Sequence, residues 1–344
     1  MDLDGKLLST WLAEQSEGDF PTGFNYRNNY SALANHLSSI HKEVTPTSIH
    51  TDGGYLTDHG PDHIRKLVER ISALLRAGSG AITPYEAYLL LAAVQFHDVG
   101  NIFGREKHEE KAADVMSDAG NLLPPDNIER RFIYTIASAH GGKEKDKLST
   151  LPAKDHLRGF PVRPQLLAAI LKFGDELAED SERGARYSFD KGLIAAESEI
   201  FHAYALALNS VSIDKEARDV QLKFDMTRAT ALKKFKKKNK TSDAVEVYLI
   251  DEIMSRTMKT HFERVYCSLF MRPIIDLTSI SVSIEISDDR GFNVLKKIVY
   301  RLQEAGYPDT DKNIYALCPE LMAWENNGAL DGKKLAITLG GLDG

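Results

Sequence analysis

The feature that most constrains this chain is the run Ala87-Tyr88-Leu89-Leu90-Leu91-Ala92-Ala93-Val94-Gln95-Phe96, which leads directly into His97-Asp98. Thr83-Pro84 places a proline suited to the first helical turn just ahead of it, so the run predicts a helix that is apolar nearly all round and therefore buried. An ionised carboxylate in such surroundings is costly unless something positive meets it. A divalent cation is the simplest partner, because neutral imidazole and carboxylate together suit first-row ions. Gly100 is expected to let the backbone leave the helix, so that adjacent side chains reach one ion.

Other helices are predicted around this one. Ile64, Leu67, Val68, Ile71, Leu74 and Leu75 recur at helical spacing behind Pro61, with Asp58 available as a cap and Gly78 as a stop. Further helices fit Glu106 to Met116, Ile128 to Ala139, and Pro164 to about Glu182. Each of these offers a metal-type ligand near an end or a core face. His63 lies beside the apolar stripe of the first helix, His108 starts a helical turn, His140 ends a helix before Gly141-Gly142, and Asp175 borders the core face that holds Leu171.

Leu56-Thr57-Asp58-His59-Gly60-Pro61-Asp62-His63-Ile64, Phe96-His97-Asp98-Val99-Gly100 and Phe173-Gly174-Asp175-Glu176-Leu177 resemble the motifs of the HD superfamily of metal-dependent phosphohydrolases. The resemblance covers about residues 55 to 185. It implies a mainly helical core in which His63, His97, Asp98 and Asp175 hold one ion, while His108 and His140 hold a second and Asp98 bridges the two. His59, four residues ahead of His63, is an alternative first ligand or a group that reaches a substrate phosphate. One or two ions of manganese, iron, cobalt or magnesium would serve. A paired site of this kind can lower the pKa of a water between the ions and stabilise the attacking and leaving oxygens at phosphorus, so the nucleophile is hydroxide rather than a side chain. Relatives of the HD-GYP type, which cleave cyclic dinucleotides, carry a Lys after the His-Asp and a Gly-Tyr-Pro further on. This chain has Asn101 at the first place and Gly141-Gly142-Lys143 without Tyr-Pro at the second.

Positive groups able to neutralise a phosphoryl transition state are Arg105 and Lys143 first, then Lys107, Arg183 and Arg186. They matter because the 344-residue chain carries a net charge of −7, which repels anions unless a local patch inverts the field. Asp155-His156 is a candidate proton donor to a leaving oxygen. A Lys-bearing phosphate loop, a Gly-x-Ser-x-Gly elbow and a thiolate cluster are all missing from the sequence, and Cys267 and Cys318 are its two cysteines. The apolar run falls far short of the roughly 20 residues needed to cross a bilayer. With no signal-peptide pattern at Met1-Asp2-Leu3-Asp4, a cytoplasmic protein without membrane contact is expected.

The expected fold class is mainly α, a helical HD-type core with a β-hairpin and a small C-terminal α/β region. The expected division is an N-terminal helical arm (1–50), the metal-binding domain (51–190), a helical extension with the hairpin (191–278) and the α/β region (279–344). Within the later parts, a helix is predicted from about Ala195 to Leu208, then strands at Val211–Ile213 and Val220–Phe224. A basic helix or loop is expected over Met226–Lys240, and one long helix over Ala244–Phe270 that belongs to the core or to a homodimer seam. A strand follows at Ile280–Ile286, a helix at Phe292–Leu302, and an apolar strand at Leu335–Leu339. The lysine-rich stretch Lys233–Lys240 is a candidate track for nucleic acid.

The leading functional expectation is a phosphohydrolase acting on a phosphoester of a nucleotide-type substrate, leaning towards a phosphodiesterase of cyclic or oligomeric nucleotides. The rivals are a deoxynucleoside triphosphate triphosphohydrolase or 5′-nucleotidase, a single-strand nuclease, and a non-catalytic signalling module with a structural metal.

Overall fold

The computed structural model describes residues 3–50, 60–78, 81–104, 108–141, 146–238, 244–303, 313–326 and 328–340. The chain forms two compact units: residues 1–51, 58–178 and 266–276 make the first, and residues 52–57, 179–265 and 277–344 make the second. The fold is mainly α, with helices from one end of the chain to the other and a few small sheets. None of the described helices is long and apolar enough to cross a membrane.

The first unit contains α1 (Leu8–Ala13), α2 (Tyr26–His50), α3 (Pro61–Ala77), α4 (Pro84–Phe96), α5 (His108–Asp118), α6 (Asn127–Ser138), a small hairpin of β1 (Asp155–Leu157) with β2 (Phe160–Val162), and α7 (Pro164–Glu176). The expected all-apolar helix is the hub. Every residue of α4 from Tyr85 to Phe96 is buried, and α1, α2, α3, α5, α6 and α7 all pack on it. Its start is fixed by a capping box: the Thr83 hydroxyl accepts from the Glu86 N–H, and the Glu86 carboxylate accepts from the Thr83 N–H. Glu86 is itself buried and takes two hydrogen bonds from Arg163, at 2.8 and 2.7 Å. The fully buried leucines of α4, at roughly 1.5–3 kcal/mol each, make this helix the main apolar anchor of the unit.

Helix α3 begins at Pro61 as expected, with Gly60 rather than Asp58 as its N-cap; Asp58 lies outside the described residues. Helix α7 is shorter than its sequence pattern predicts. It stops at Glu176, and Asp180 then caps a separate turn at Ser181–Arg183 by accepting from the Glu182 N–H, a local bond that competes with helix continuation.

The second unit holds α8 (Arg186–Asp190), α9 (Glu199–Ala207), β3 (Leu208–Asp214), β4 (Asp219–Thr227), α10 (Arg228–Leu232), β5 (Lys234–Lys238), β6 (Ala244–Tyr248), most of α11 (Leu249–Met271), β7 (Ser279–Ser287), β8 (Val294–Gln303), α12 (Ile314–Leu317) and α13 (Gly332–Thr338). Its main sheet runs β3-β4-β7-β8, with β4 and β7 parallel and the outer pairs antiparallel. The expected β3–β4 hairpin and the strand at 280–286 are present.

Four expectations in this unit are overturned. Residues 292–302 are not helical: from Val294 they form β8, where Ile298, Tyr300 and Leu302 alternate inward against β7. The segment expected as a strand at Leu335–Leu339 is helical through Thr338, the last residue of α13, which Asp331 caps by accepting from the Lys334 N–H. Ala244–Tyr248 is a strand, and the long helix begins only at Leu249. The basic stretch after Met226 is a short helix followed by β5, antiparallel to β6. In addition, the helix expected from Ala195 starts at Glu199.

Candidate metal centre

The end of α4 is where the site begins. The backbone stays helical at His97 (φ −59°, ψ −42°) and departs at Asp98 (φ −111°, ψ 0°), before Gly100 is reached. Gly100 has a different role from the expected one. A Cβ there would overlap the backbone carbonyl of His108 and press on Ala112 N, so only glycine lets the first turn of α5 seat against the turn at Val99–Phe103. That close approach carries His108 to Asp98. A second glycine acts in the same way across the core: a Cβ on Gly174 would sit 2.8 Å from Ile71 Cγ1 and 3.2 Å from Leu67 Cδ1, so α7 lies tight on α3 and brings Asp175 to His63.

Six side chains from five segments converge. His63 Nε2 lies 3.2 Å from His97 Nε2, 3.2 Å from Asp175 Oδ1 and 3.6 Å from Asp98 Oδ2. His97 Nε2 lies 3.4 Å from Asp98 Oδ2 and 3.7 Å from Asp175 Oδ1. The other oxygen of Asp98, Oδ1, faces His108 Nε2 at 3.2 Å and His140 Nε2 at 3.4 Å. Two donor sets result, His63/His97/Asp98/Asp175 and Asp98/His108/His140, and the Asp98 carboxylate is shared between them.

The geometry suits cations. Donors held about 2.1 Å from an ion at tetrahedral or octahedral angles stand roughly 3.0–3.4 Å apart, close to the spacings observed. The tautomers agree as well. His97 Nδ1 donates to the Val94 carbonyl at 2.9 Å and His140 Nδ1 to the Ala137 carbonyl at 2.6 Å, which leaves Nε2 of each ring aimed into the cluster. Two such nitrogens 3.2 Å apart, as in His63 and His97, need a proton or a cation between them.

The electrostatics point the same way. Burial alone would raise the Asp98 carboxyl, but the charge of His97 and hydrogen bonds from His108, His140 and His97 hold it well below the usual carboxylate range. Asp175 is held low against burial by His63 and His97. Burial would lower His97, yet the Asp98 and Asp175 carboxylates push it up to about 10. The two carboxylates thus favour positive charge beside them, as a protonated imidazole or a cation supplies. The floor of the site is closed, with His97 and His63 0% and 1% exposed at the side chain, whereas Asp175 is 28% and His108 17% exposed. Asp175 and His108 are the most exposed of the six side chains.

The structure thus brings together His63, His97, Asp98, His108, His140 and Asp175, each of them expected from sequence. His59, Arg105, Lys107 and Lys143 lie outside the described residues. Asp155 and His156 are exposed in β1. Arg183 is buried in the second unit and pairs with Glu179 at 3.5 Å. Two neighbours of the ligands escaped the sequence reading. His41 is 2% exposed and donates from Nε2 to the Gln95 carbonyl at 2.9 Å, and burial pushes its imidazole down to about 4. Lys172 donates to the His140 carbonyl at 2.9 Å. The signal for both was weak, because a lone His or Lys on a helix is not distinguished by spacing.

A helical core whose centre presents a shared carboxylate between two imidazole-rich donor sets defines a metal-binding protein of the HD type, and its site fits a metal-dependent phosphohydrolase. The chain belongs to the HD-CE family, whose model matches residues 53–255. The match runs beyond the 55–185 region of resemblance, through β3–β6 and into α11. No curated protein matches the chain.

Proposed function

We propose that this protein hydrolyses a phosphoester bond in a nucleotide-type substrate, with phosphodiesters of cyclic or oligomeric nucleotides as the first expectation. The observation that carries the reading is the division of Asp98 between two donor sets: Oδ2 faces His63 and His97, and Oδ1 faces His108 and His140. His63, His97, Asp98 and Asp175 would hold one divalent ion, and Asp98, His108 and His140 a second. When bound, such a pair supplies an activated water and positive charge for the oxygens of the displacement at phosphorus. The chain's own part is to hold the donors. The Val94 and Ala137 carbonyls fix the orientation of the His97 and His140 rings, the buried floor excludes bulk water, and the more open Asp175–His108 side admits the substrate.

Full retention of both donor sets supports an enzyme over a signalling module with a structural ion. Manganese, iron, cobalt and magnesium all suit these ligands. The nuclease reading draws less support, because the lysines that suggested it are engaged locally: Lys233 with Glu199, Lys234 with Glu246 at 3.2 Å, Lys237 with Glu252 at 2.5 Å and Lys238 with Glu197 at 2.9 Å. A panel of linear and cyclic nucleotides, together with a generic bis-phosphodiester and a phosphomonoester, assayed with manganese, magnesium and cobalt, tests the proposal. Metal-dependent turnover of a diester is expected. Turnover of nucleoside triphosphates or 5′-monophosphates alone would move the assignment to one of the rival hydrolases, and no turnover by a metal-loaded protein would contradict it.

A further inference from the structure

Three ligand-bearing segments of the first unit are tied down just beside their ligands by side chains from other helices of that unit. His41 on α2 donates to the carbonyl of Gln95 in the last turn of α4, two residues before His97. Lys172 on α7 donates to the carbonyl of His140, immediately past the end of α6. Arg70 on α3 donates from Nε to the carbonyl of Leu177 at 2.9 Å, two residues after Asp175 and at the C-cap of α7. The carbonyls at the end of a helix lack intrahelical partners, so their direction is set by whatever donor reaches them. Two of the three donors come from helices that carry ligands themselves: α3 carries His63 and holds the end of α7, while α7 carries Asp175 and holds the end of α6.

We propose that Arg70, Lys172 and His41 are positioning residues that set metal affinity separately for the two donor sets. Arg70 acts through Asp175 on the His63/His97/Asp98/Asp175 set. Lys172 acts through His140 on the Asp98/His108/His140 set. His41 acts through the His97-Asp98 pair, which serves both. The assignment rests on the metal-centre reading above. The physical basis is that a ligand atom must be held to about half an ångström to keep its bond, and outer partners that fix ligands are worth on the order of 10–100-fold in metal affinity.

Calorimetric titration of the chelator-stripped full chain with manganese alone tests this, with thermal unfolding of the same metal-free samples as a control. The wild-type chain is expected to take up two ions. Lys172→Met should weaken one of the two binding events by about 10–100-fold and spare the other, Arg70→Met should weaken the opposite one, and His41→Phe should weaken both. Lys172→Arg, which keeps a donor, should restore most of the loss, whereas Lys172→Gln should restore less. Should Lys172→Met fail to fold, the Arg and Gln pair carries the comparison. Variants that bind both ions as the wild type does, or that weaken both events equally in step with a lowered unfolding temperature, overturn the proposal and leave the metal centre standing. A wild-type chain that takes up fewer than two ions overturns the two-site reading itself.

Discussion

The two units differ in how their sequences specify them. In the first, one fully buried helix organises six others, and short-range signals settle where each element starts and where its functional side chain falls. The Thr83–Glu86 capping box and Pro61 at a first turn are local instructions. In the second, the main sheet is assembled from strands far apart in sequence, with β4 parallel to β7 across some fifty residues of intervening chain. Its elements are decided by partners rather than by their own periodicity. The candidate metal centre sits in the locally specified unit, where ligand positions have to be reproduced closely.

Mutations should separate the two regions sharply. The largest effect is expected from Asp98→Ala, which removes the one carboxylate common to both donor sets and should abolish uptake of both ions and all metal-dependent hydrolysis; elemental analysis and the nucleotide assay read this directly. Ile284→Ala, at a fully buried position of β7, should cost about 2–5 kcal/mol of stability in denaturant unfolding and leave ion stoichiometry untouched. Loss of ions in that variant would break the contrast between the units. Gly100→Ala combines a moderate cost, about 1–3 kcal/mol from overpacking against the His108 carbonyl, with selective weakening of the ion held by His108 and His140, measurable by titration.

Acidity gives a subtler test. His97 is raised from 6.5 to about 10 in the ion-free protein, so its charged form stabilises that state fully below pH 6.5, and the contribution is lost as pH rises through 10. Ion uptake requires the neutral ring and displaces its proton, so metal affinity should run the opposite way, rising about tenfold per pH unit within the same window. Unfolding of the stripped protein and manganese titration at pH 7, 8 and 9 should therefore show opposed slopes. The smallest effect is expected at Lys236, an exposed residue of β5 with no ion pair among the described residues. Lys236→Gln should shift stability by less than about 0.5 kcal/mol and leave diester turnover unchanged.

Much of the centre was legible because its ligands are placed by helix ends. His97-Asp98 closes an apolar helix, His108 opens one, and His140 follows one, so element boundaries alone locate them. The reason for Gly100 was not legible. Its requirement is a close approach to the His108 carbonyl, a contact across two elements, and not a freedom of its own backbone. The misread segments of the second unit fail for different physical reasons. Val294, Leu295, Ile298 and Leu302 fit a helical spacing as well as Ile298, Tyr300 and Leu302 fit alternation, and pairing with β7 decides between them. Leu335–Leu339 is too short an apolar run to declare its period, and the Asp331 cap tips it to helix. In β5 the charged residues hid a strand whose one fully buried side chain is Phe235.

The most direct measurement is the number of manganese ions bound per chain by the purified wild-type protein and by Asp98→Ala, both shown to be folded by circular dichroism. Two ions in the first and none in the second is the predicted result. Equal ion content in the two proteins, or no ion in either, would contradict a centre built around a shared Asp98.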